Sequence, residues 1–314
     1  MTDWNLDLPE ATPVSYETRV AYDDVNGLQL GHMARTIPIP KGHVDAITAP
    51  ELMLSGGRPA YDWQLEMLGY GVDRWRLAAV TRQGGKTSVQ AAGALEKISQ
   101  QTGRVGVLLP SKDQAVDVLL EIREFYLKAI KAGFGGRMPE MLNTEAARPE
   151  RLFFSNGSMI QAMTSESGNA ATGYGATNRG GPMLRLIVDE AAFVRRDAVF
   201  SLVPALASTN GDMIITSTVW TDFGWFYETL NGEGELKALF HTIRKTAADI
   251  PHISAEHLHN AKIFMPKDVF EREYYLVPPP RIGGLIDRDA IEAMNPTPID
   301  DPLGDWLPSW STAA

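Results

Sequence analysis

The chain has no cysteine, which excludes disulfides, thiolate metal sites and a cysteine nucleophile together. Histidine is scarce, with 6 in 314 residues. The tightest grouping, His252, His257 and His259 in HISAEHLHN, has spacings that do not put all three rings on one helix face, so no zinc site is expected. No apolar run approaches the length of a membrane span. The N-terminal stretch MTDWNLDLPEATPVSYETR lacks the basic start and apolar centre of a signal peptide, so a cytoplasmic protein without membrane contact is expected. Positive charge is in deficit as well: 29 Lys and Arg stand against 39 Asp and Glu, a net charge of -10. That balance argues against a surface that grips nucleic acid everywhere, and leaves room for a local basic patch or a ring of copies around DNA. Internal repeats and low-complexity segments are also missing.

What is present is a globular composition, 44% hydrophobic and 22% charged, in a chain long enough for one large domain or two ordinary ones. Residues 1–55 are mixed and proline-punctuated, and read as an irregular N-terminal arm. From about Gly57 short apolar runs alternate with longer amphipathic segments. RWRLAAV (74–80) predicts a strand and TSVQAAGALEKISQ a helix with Val89, Leu95 and Ile98 toward one side. RVGVLLP (104–110) predicts a buried strand, Ser111 a helix cap, and the following helix runs to Gly133. RLFFSNGSMIQAM is a hairpin pattern turning at Asn156-Gly157. MLRLIVDE predicts a strand, DAVFSLVPALAS a helix, and Asn210-Gly211 a turn into the strand MIITSTV. Strands alternating with helices predict an α/β core with a mostly parallel sheet covered on both faces. The core is expected over 56–246, a small C-terminal lid over 247–295, and a linker or tail over 296–314.

VTRQGGKTSVQ, residues 80–90, carries the chemistry. Gly85-Lys86-Thr87 suits a phosphate-binding loop, although the usual leading glycine is replaced by Val80. A strand ending at Val80 and a helix starting near Thr87 would converge backbone N–H groups and a helix N-terminus on one point, a geometry that binds phosphate. Gly84 and Gly85 would let the backbone approach phosphate oxygens. Lys86 can reach the β- and γ-phosphates and the Thr87 hydroxyl can ligate Mg²⁺. LRLIVDEAAF ends a strand in Asp189-Glu190, at the edge where ligands of parallel sheets bind. There Asp189 would hold the metal and Glu190 would deprotonate the attacking water. Gln64 in YDWQLEML can pair with the N6 and N7 edge of adenine, with Tyr61 and Trp63 near enough to stack on the base. Arg195-Arg196 reads as a solvated helix start or a phosphate contact, and Trp220, Trp225, Phe226 and Tyr227 as core aromatics.

The departure at the front of the loop is shared by a family. TRQGGKTS resembles the variant phosphate loop of the large terminase subunits of tailed bacteriophages, the ATPases that pump DNA into the capsid. YDWQLEML, VGVLLPSKDQAVDVLLEIREF, NGSMIQAMTSESGNAATGYGATNRGG, LIVDEAAF, MIITSTVWTDFGWFYETL and FEREYYLVPPPRIGGLID resemble, in order, its adenine segment, strand-serine-helix, hairpin with Arg-Gly pair, acidic motif, coupling motif and closing segment. The resemblance implies a RecA-like P-loop fold. It implies an ATP and Mg²⁺ site whose nucleotide-binding residues are Gln64, Arg82, Gln83, Gly84, Gly85, Lys86, Thr87, Ser88, Thr216 and Ser217. Thr87 and Asp189 would hold the metal and Glu190 would be the general base. Arg82 would contact the γ-phosphate from the same subunit, and Arg179 would act as a finger on the neighbouring subunit's ATP. Thr216 and Ser217 would sense the γ-phosphate. Implied partners are double-stranded DNA, further copies in a ring on the capsid portal, and a small terminase subunit, all in the cytoplasm of an infected bacterium. The nuclease domain usual in the family is not among these residues, so no nuclease activity is expected of them. A helicase-like or remodelling ATPase would share the loop and acidic pair, but too few residues follow Phe240 for a second RecA-like lobe. A scaffold that binds ATP without hydrolysing it is the third alternative, disfavoured by Glu190.

Overall fold

The structure is a computed structural model that describes residues 46–57, 59–72, 75–142, 150–165 and 181–279. Its frame is an eight-stranded sheet. The strands are β1 (Trp75–Val80), β2 (Arg104–Leu109), β3 (Met141–Leu142), β4 (Arg151–Phe154), β5 (Met159–Thr164), β6 (Arg185–Val188), β7 (Asp212–Ser217) and β8 (Phe240–Lys245). They lie in the order β3-β4-β5-β2-β6-β7-β1-β8. From β5 to β8 all neighbours are parallel, and β4 joins β5 as an antiparallel hairpin. The hairpin turns as its sequence predicts: Gly157 has φ 82°, the Asn156 side chain accepts from Ser158 N at 3.0 Å and donates to Ile98 O at 2.9 Å.

The strands are apolar on both faces because both are covered. Alternate residues of one strand enter different cores: Ala78 and Val80 join Val89, Leu95 and Ile98 on one side. Leu77 and Ala79 join Met213, Ile215 and Phe226 on the other. A period of two along β1 thus supplies two hydrophobic layers. The first layer is closed by helices α1 (Ala49–Ser55), α2 (Asp62–Leu68), α3 (Lys86–Gln100) and α4 (Lys112–Ala129). The second is closed chiefly by α5 (Arg196–Leu202) and α6 (Trp225–Leu230), and α7 (Gly234–Leu239) leads into β8. Val89, Leu95 and Ile98 are all buried as the helical spacing predicts, and Ser111 caps α4 by accepting from Gln114 N.

Three local outcomes differ from the sequence pattern. Residues 49–55, expected at the end of an irregular arm, are helical; Glu51 closes a capping box on Thr48, and Ala49, Leu52 and Met53 are buried against α3 and α4. These apolar side chains form a docking face. α4 runs past Ala129 as a π turn in which Gly133 takes φ 93°. The helix expected over 197–208 is α only to Leu202 and continues as a 3₁₀ segment, Val203–Thr209. Pro204 has no N–H to extend the α-helical ladder. After β8 come α8 (Ala255–Phe264) and α9 (Lys267–Tyr275).

Candidate active site

The 82–88 loop and the acidic pair come together at the C-terminal edge of the sheet. β1 ends at Val80 and α3 begins at Lys86, with Gly85 as its N-cap at φ 89°. Gln83, a non-glycine residue, is also left-handed at φ 59°. Successive residues of alternating hand turn their N–H groups to one side, which forms an anion-binding concavity. The first intrahelical bond is Val89 N to Gly85 O, so the N–H groups of Lys86, Thr87 and Ser88 have no helical acceptor and remain donors for a ligand. Gly84 is required for a reason internal to the fold: a Cβ there would meet Val80 Cγ1 at 2.5 Å and Thr81 O at 3.0 Å. The loop turns back over its own strand, and only hydrogen fits between.

Lys86 is buried, and its Nζ donates to Val80 O at 3.1 Å. It lies over the end of β1, with Thr87 beside it half-buried. Gln64 is 2% exposed. Its Oε1 accepts from Tyr61 N at 2.9 Å and its Nε2 donates to Gly85 O at 3.3 Å, so the carboxamide ties the start of α2 to the loop. The aromatic pair expected around it divides. Trp63 is 3% exposed and belongs to the core, so it offers no face to a base. Tyr61 lies nearly parallel to His252, with its hydroxyl 3.0 Å from Nδ1, and His252 Nε2 is 2.7 Å from Gln83 O. His252 is therefore a loop neighbour. Among the described residues no group of three or more His, Cys, Asp or Glu could hold a metal.

The parallel register of β6 and β7 pairs Val188 with Ile215, so the residues that follow, Asp189-Glu190 and Thr216-Ser217, run side by side. The Thr216 hydroxyl donates to Asp189 Oδ1 at 2.6 Å, and Ser217 Oγ is 3.4 Å from Glu190 Oε2. Both hydroxyl residues are fully buried, so they stand behind the acids. Asp189 Oδ1 also accepts from Glu190 N, while Oδ2 has no hydrogen-bond partner among the described residues. An open carboxylate oxygen and a threonine hydroxyl such as that of Thr87 are the kind of hard oxygen donors that Mg²⁺ takes. Glu190 turns out of the strand in the left-handed region, φ 48°, a conformation a glutamate holds only when its surroundings enforce it. Burial raises its pKa above the ordinary glutamate range, against the pull of Lys86.

Three contacts had no signal in the sequence. Arg82 pairs with Glu273 of α9, Nε to Oε2 at 2.5 Å, and Thr81 Oγ1 donates to Glu273 O at 2.9 Å. The loop is thereby tied to a helix nearly two hundred residues away. Ser88 Oγ donates to Glu121 Oε1 of α4 at 2.9 Å. Arg179 lies outside the described residues.

The sequence profile of one family, described as terminase large subunit, T4likevirus-type, N-terminal, matches residues 79–292. The chain belongs to the terminase large subunit family. Solved structures agree in fold. The large terminase ATPase domain of Thermus phage P74-26 is 18% identical, with a TM-score of 0.55 over 71% of this chain and 96% of that one. The large terminase of bacteriophage HK97 is 16% identical, with a TM-score of 0.54 over 75% of this chain and 55% of that one. A large terminase from a thermophilic bacteriophage, in complex with ADP, is 11% identical, with a TM-score of 0.53 over 69% and 53%. The terminase chain described here thus spans about half the length of these last two large terminases. No curated protein matches it. At these identities the terminase likeness is one of fold: a RecA-like sheet with β7 between the loop strand and the acidic strand. No helix among the described residues is long and apolar enough to cross a membrane.

Proposed function

We propose that this chain is the ATP-hydrolysing motor domain of a bacteriophage DNA-packaging terminase. The observation that carries the reading is the meeting of the 82–88 loop with Asp189 and Glu190 at one sheet edge, on the fold of a terminase family member. ATP is the substrate, its phosphates received by the N–H groups at the start of α3, with Lys86 leaving its carbonyl contacts for the β- and γ-phosphates. Thr87 and Asp189 hold Mg²⁺, which when bound neutralises charge on the phosphate oxygens. Glu190 takes a proton from water as the water oxygen attacks the γ-phosphorus and the bond to the ADP oxygen breaks. Arg82 serves the γ-phosphate from the same subunit, and Arg179 serves the neighbour's. The domain plan is a core over 56–246 with a lid over 247–295, and Glu273 supports it by linking α9 to the loop. In the assembly, copies form a ring on the capsid portal, a small terminase subunit recruits the DNA, and the double helix is held through its phosphates. Work of this kind belongs in the cytoplasm of an infected host.

The test is phosphate release from ATP by the purified chain and by Lys86→Ala. The wild type should release phosphate and the variant should fall to background; equal release by both would sink the assignment. A second expectation follows from the Arg82–Glu273 pair. Arg82 is largely exposed, but Glu273 is buried and also accepts from Arg272 Nη2 at 3.0 Å, so Glu273→Gln should cost about 1–3 kcal/mol of stability. Its effect should also appear in binding, because Arg82 would no longer leave an ion pair to reach a γ-phosphate. Calorimetry should find ATP-γ-S bound about two- to fivefold more tightly, the order of energy an exposed ion pair carries, with ADP unchanged. Equal shifts for both nucleotides would remove Arg82 from the γ-phosphate.

A further inference from the structure

One turn beyond Lys86, α3 carries a polar side chain into the interior. Gln90 is 1% exposed. Its Nε2 donates to Thr216 Oγ1, whose hydroxyl in turn donates to Asp189 Oδ1 at 2.6 Å. The Gln90 Oε1 is a buried acceptor without a partner. A buried carboxamide satisfied at only one end costs stability that an apolar side chain of the same size would not. Its neighbours on α3, Val89, Ala91, Ala92 and Ala94, are all apolar and buried, so packing alone gives no reason for glutamine here.

The polarity of the chain supplies a reason. A hydroxyl has one proton to give. Because the Gln90 N–H occupies the acceptor side of Thr216, that proton has to point at Asp189. The opposite orientation, with the amide oxygen accepting from Thr216, would turn a hydroxyl lone pair against the carboxylate. Only the order Gln90 to Thr216 to Asp189 makes Oδ1 the acceptor of the Thr216 proton and leaves Oδ2 for a cation.

We infer that Gln90 is a positioning residue for the nucleotide-bound Mg²⁺. It acts through Thr216 to hold the Asp189 carboxylate in one orientation, so that the metal finds its ligand already in place. The inference rests on the nucleotide-binding reading above. It also gives Thr216 a task distinct from sensing the γ-phosphate: its proton is committed to Asp189.

The experiment is ADP binding to the whole chain by calorimetry, in EDTA and across a Mg²⁺ series, for the wild type, Gln90→Met, Thr216→Val and the double variant. In EDTA Gln90→Met should bind ADP as the wild type does. The gain in affinity on adding Mg²⁺ should be about tenfold smaller in each single variant, as for other groups that orient metal ligands. The double variant should lose no more than either single one, the mark of one shared chain. Gln90→Glu adds a readout that mere packing would not move. At high pH its carboxylate would draw the Thr216 proton away from Asp189; once protonated, it can donate again. Its Mg²⁺-dependent gain should therefore recover toward the wild-type value as pH falls. Should Gln90→Met fail to fold, that pH profile decides alone, and a profile parallel to the wild type overturns the inference. So does an undiminished Mg²⁺ gain in the folded single variants, or an equal loss in EDTA and in Mg²⁺, which would make Gln90 a structural tie. A wild-type chain that binds no ADP under any condition overturns the nucleotide reading itself, and this inference with it.

Discussion

Glu190→Gln is expected to lower ATP turnover by about 10²–10⁴-fold, the range general-base catalysis supplies, while ADP binds as in the wild type. The substitution keeps the shape of the side chain and its place beside Ser217 Oγ; what it removes is the ability to accept a proton from water. Steady-state phosphate release together with ADP titration separates the two effects. Unchanged turnover would remove Glu190 as the general base. The pH profile adds a second check. Burial lifts the Glu190 pKa, with Asp189 pushing the same way and Lys86 and Arg82 opposing. A base works only when ionised, so turnover should fall as pH drops through this raised value, at a higher pH than an ordinary glutamate would give. In Glu190→Gln that acid limb should vanish from whatever activity remains.

Asp212→Ala should produce the largest loss of stability, through a cluster at the opposite edge of the sheet. Asp212 opens β7 and Arg185 opens β6, directly across the ladder. Arg185 Nε and Nη2 meet Asp212 Oδ1 and Oδ2 at 2.6 and 2.7 Å. Arg76 approaches Oδ2 at 3.2 Å and Lys97 at 3.8 Å. One carboxylate thus faces three cations, and both guanidinium groups are buried. Removing one partner of a buried pair typically costs about 3–5 kcal/mol, because charges are left without compensation. For a chain of this size that is on the order of 5–8 °C in melting temperature. Burial alone would raise the Asp212 pKa, but Arg185 and Arg76 bring it well below the usual carboxylate range. A depressed folded-state pKa means that Asp212 stabilises the fold above the unfolded value, about 3.9, and that the contribution is lost as pH falls further. Melting curves from pH 7 to pH 2 should therefore show a constant gap to Asp212→Ala above about pH 4 that narrows below it. A constant gap across the range would assign the loss to packing.

Much of this molecule is readable along the chain, for reasons that are local. A strand apolar on both faces, a glycine pair before a lysine, a serine ahead of a helix and Asn-Gly turns act within a few residues, so β1, the 82–88 loop, the α4 cap and the 155–158 hairpin turn are set by neighbours in sequence. Asp189-Glu190 was visible because a carboxylate pair ending an apolar strand has few structural uses. Gln64 was visible too, but its partners were not: whether Trp63 faces a ligand or the core depends on which side of a short helix meets α3, and local spacing over seven residues does not settle that. Helix α1 was missed because its apolar residues have meaning only against α3 and α4.

The sequence by itself determined the chemistry at hand, a phosphate-type loop followed by an acidic pair, and the alternation that builds a parallel sheet. Only the tertiary structure decided which groups stand behind that chemistry. β7 inserts between β1 and β6, and this strand order, which no local signal encodes, brings Thr216 against Asp189 and Gln90 against Thr216. The same folding brings Glu273 from α9 onto Arg82 and sets Asp212 across from Arg185. Each of these contacts joins residues far apart in the chain, and their pairing is fixed by register and layer packing, in which every strand constrains the rest at once.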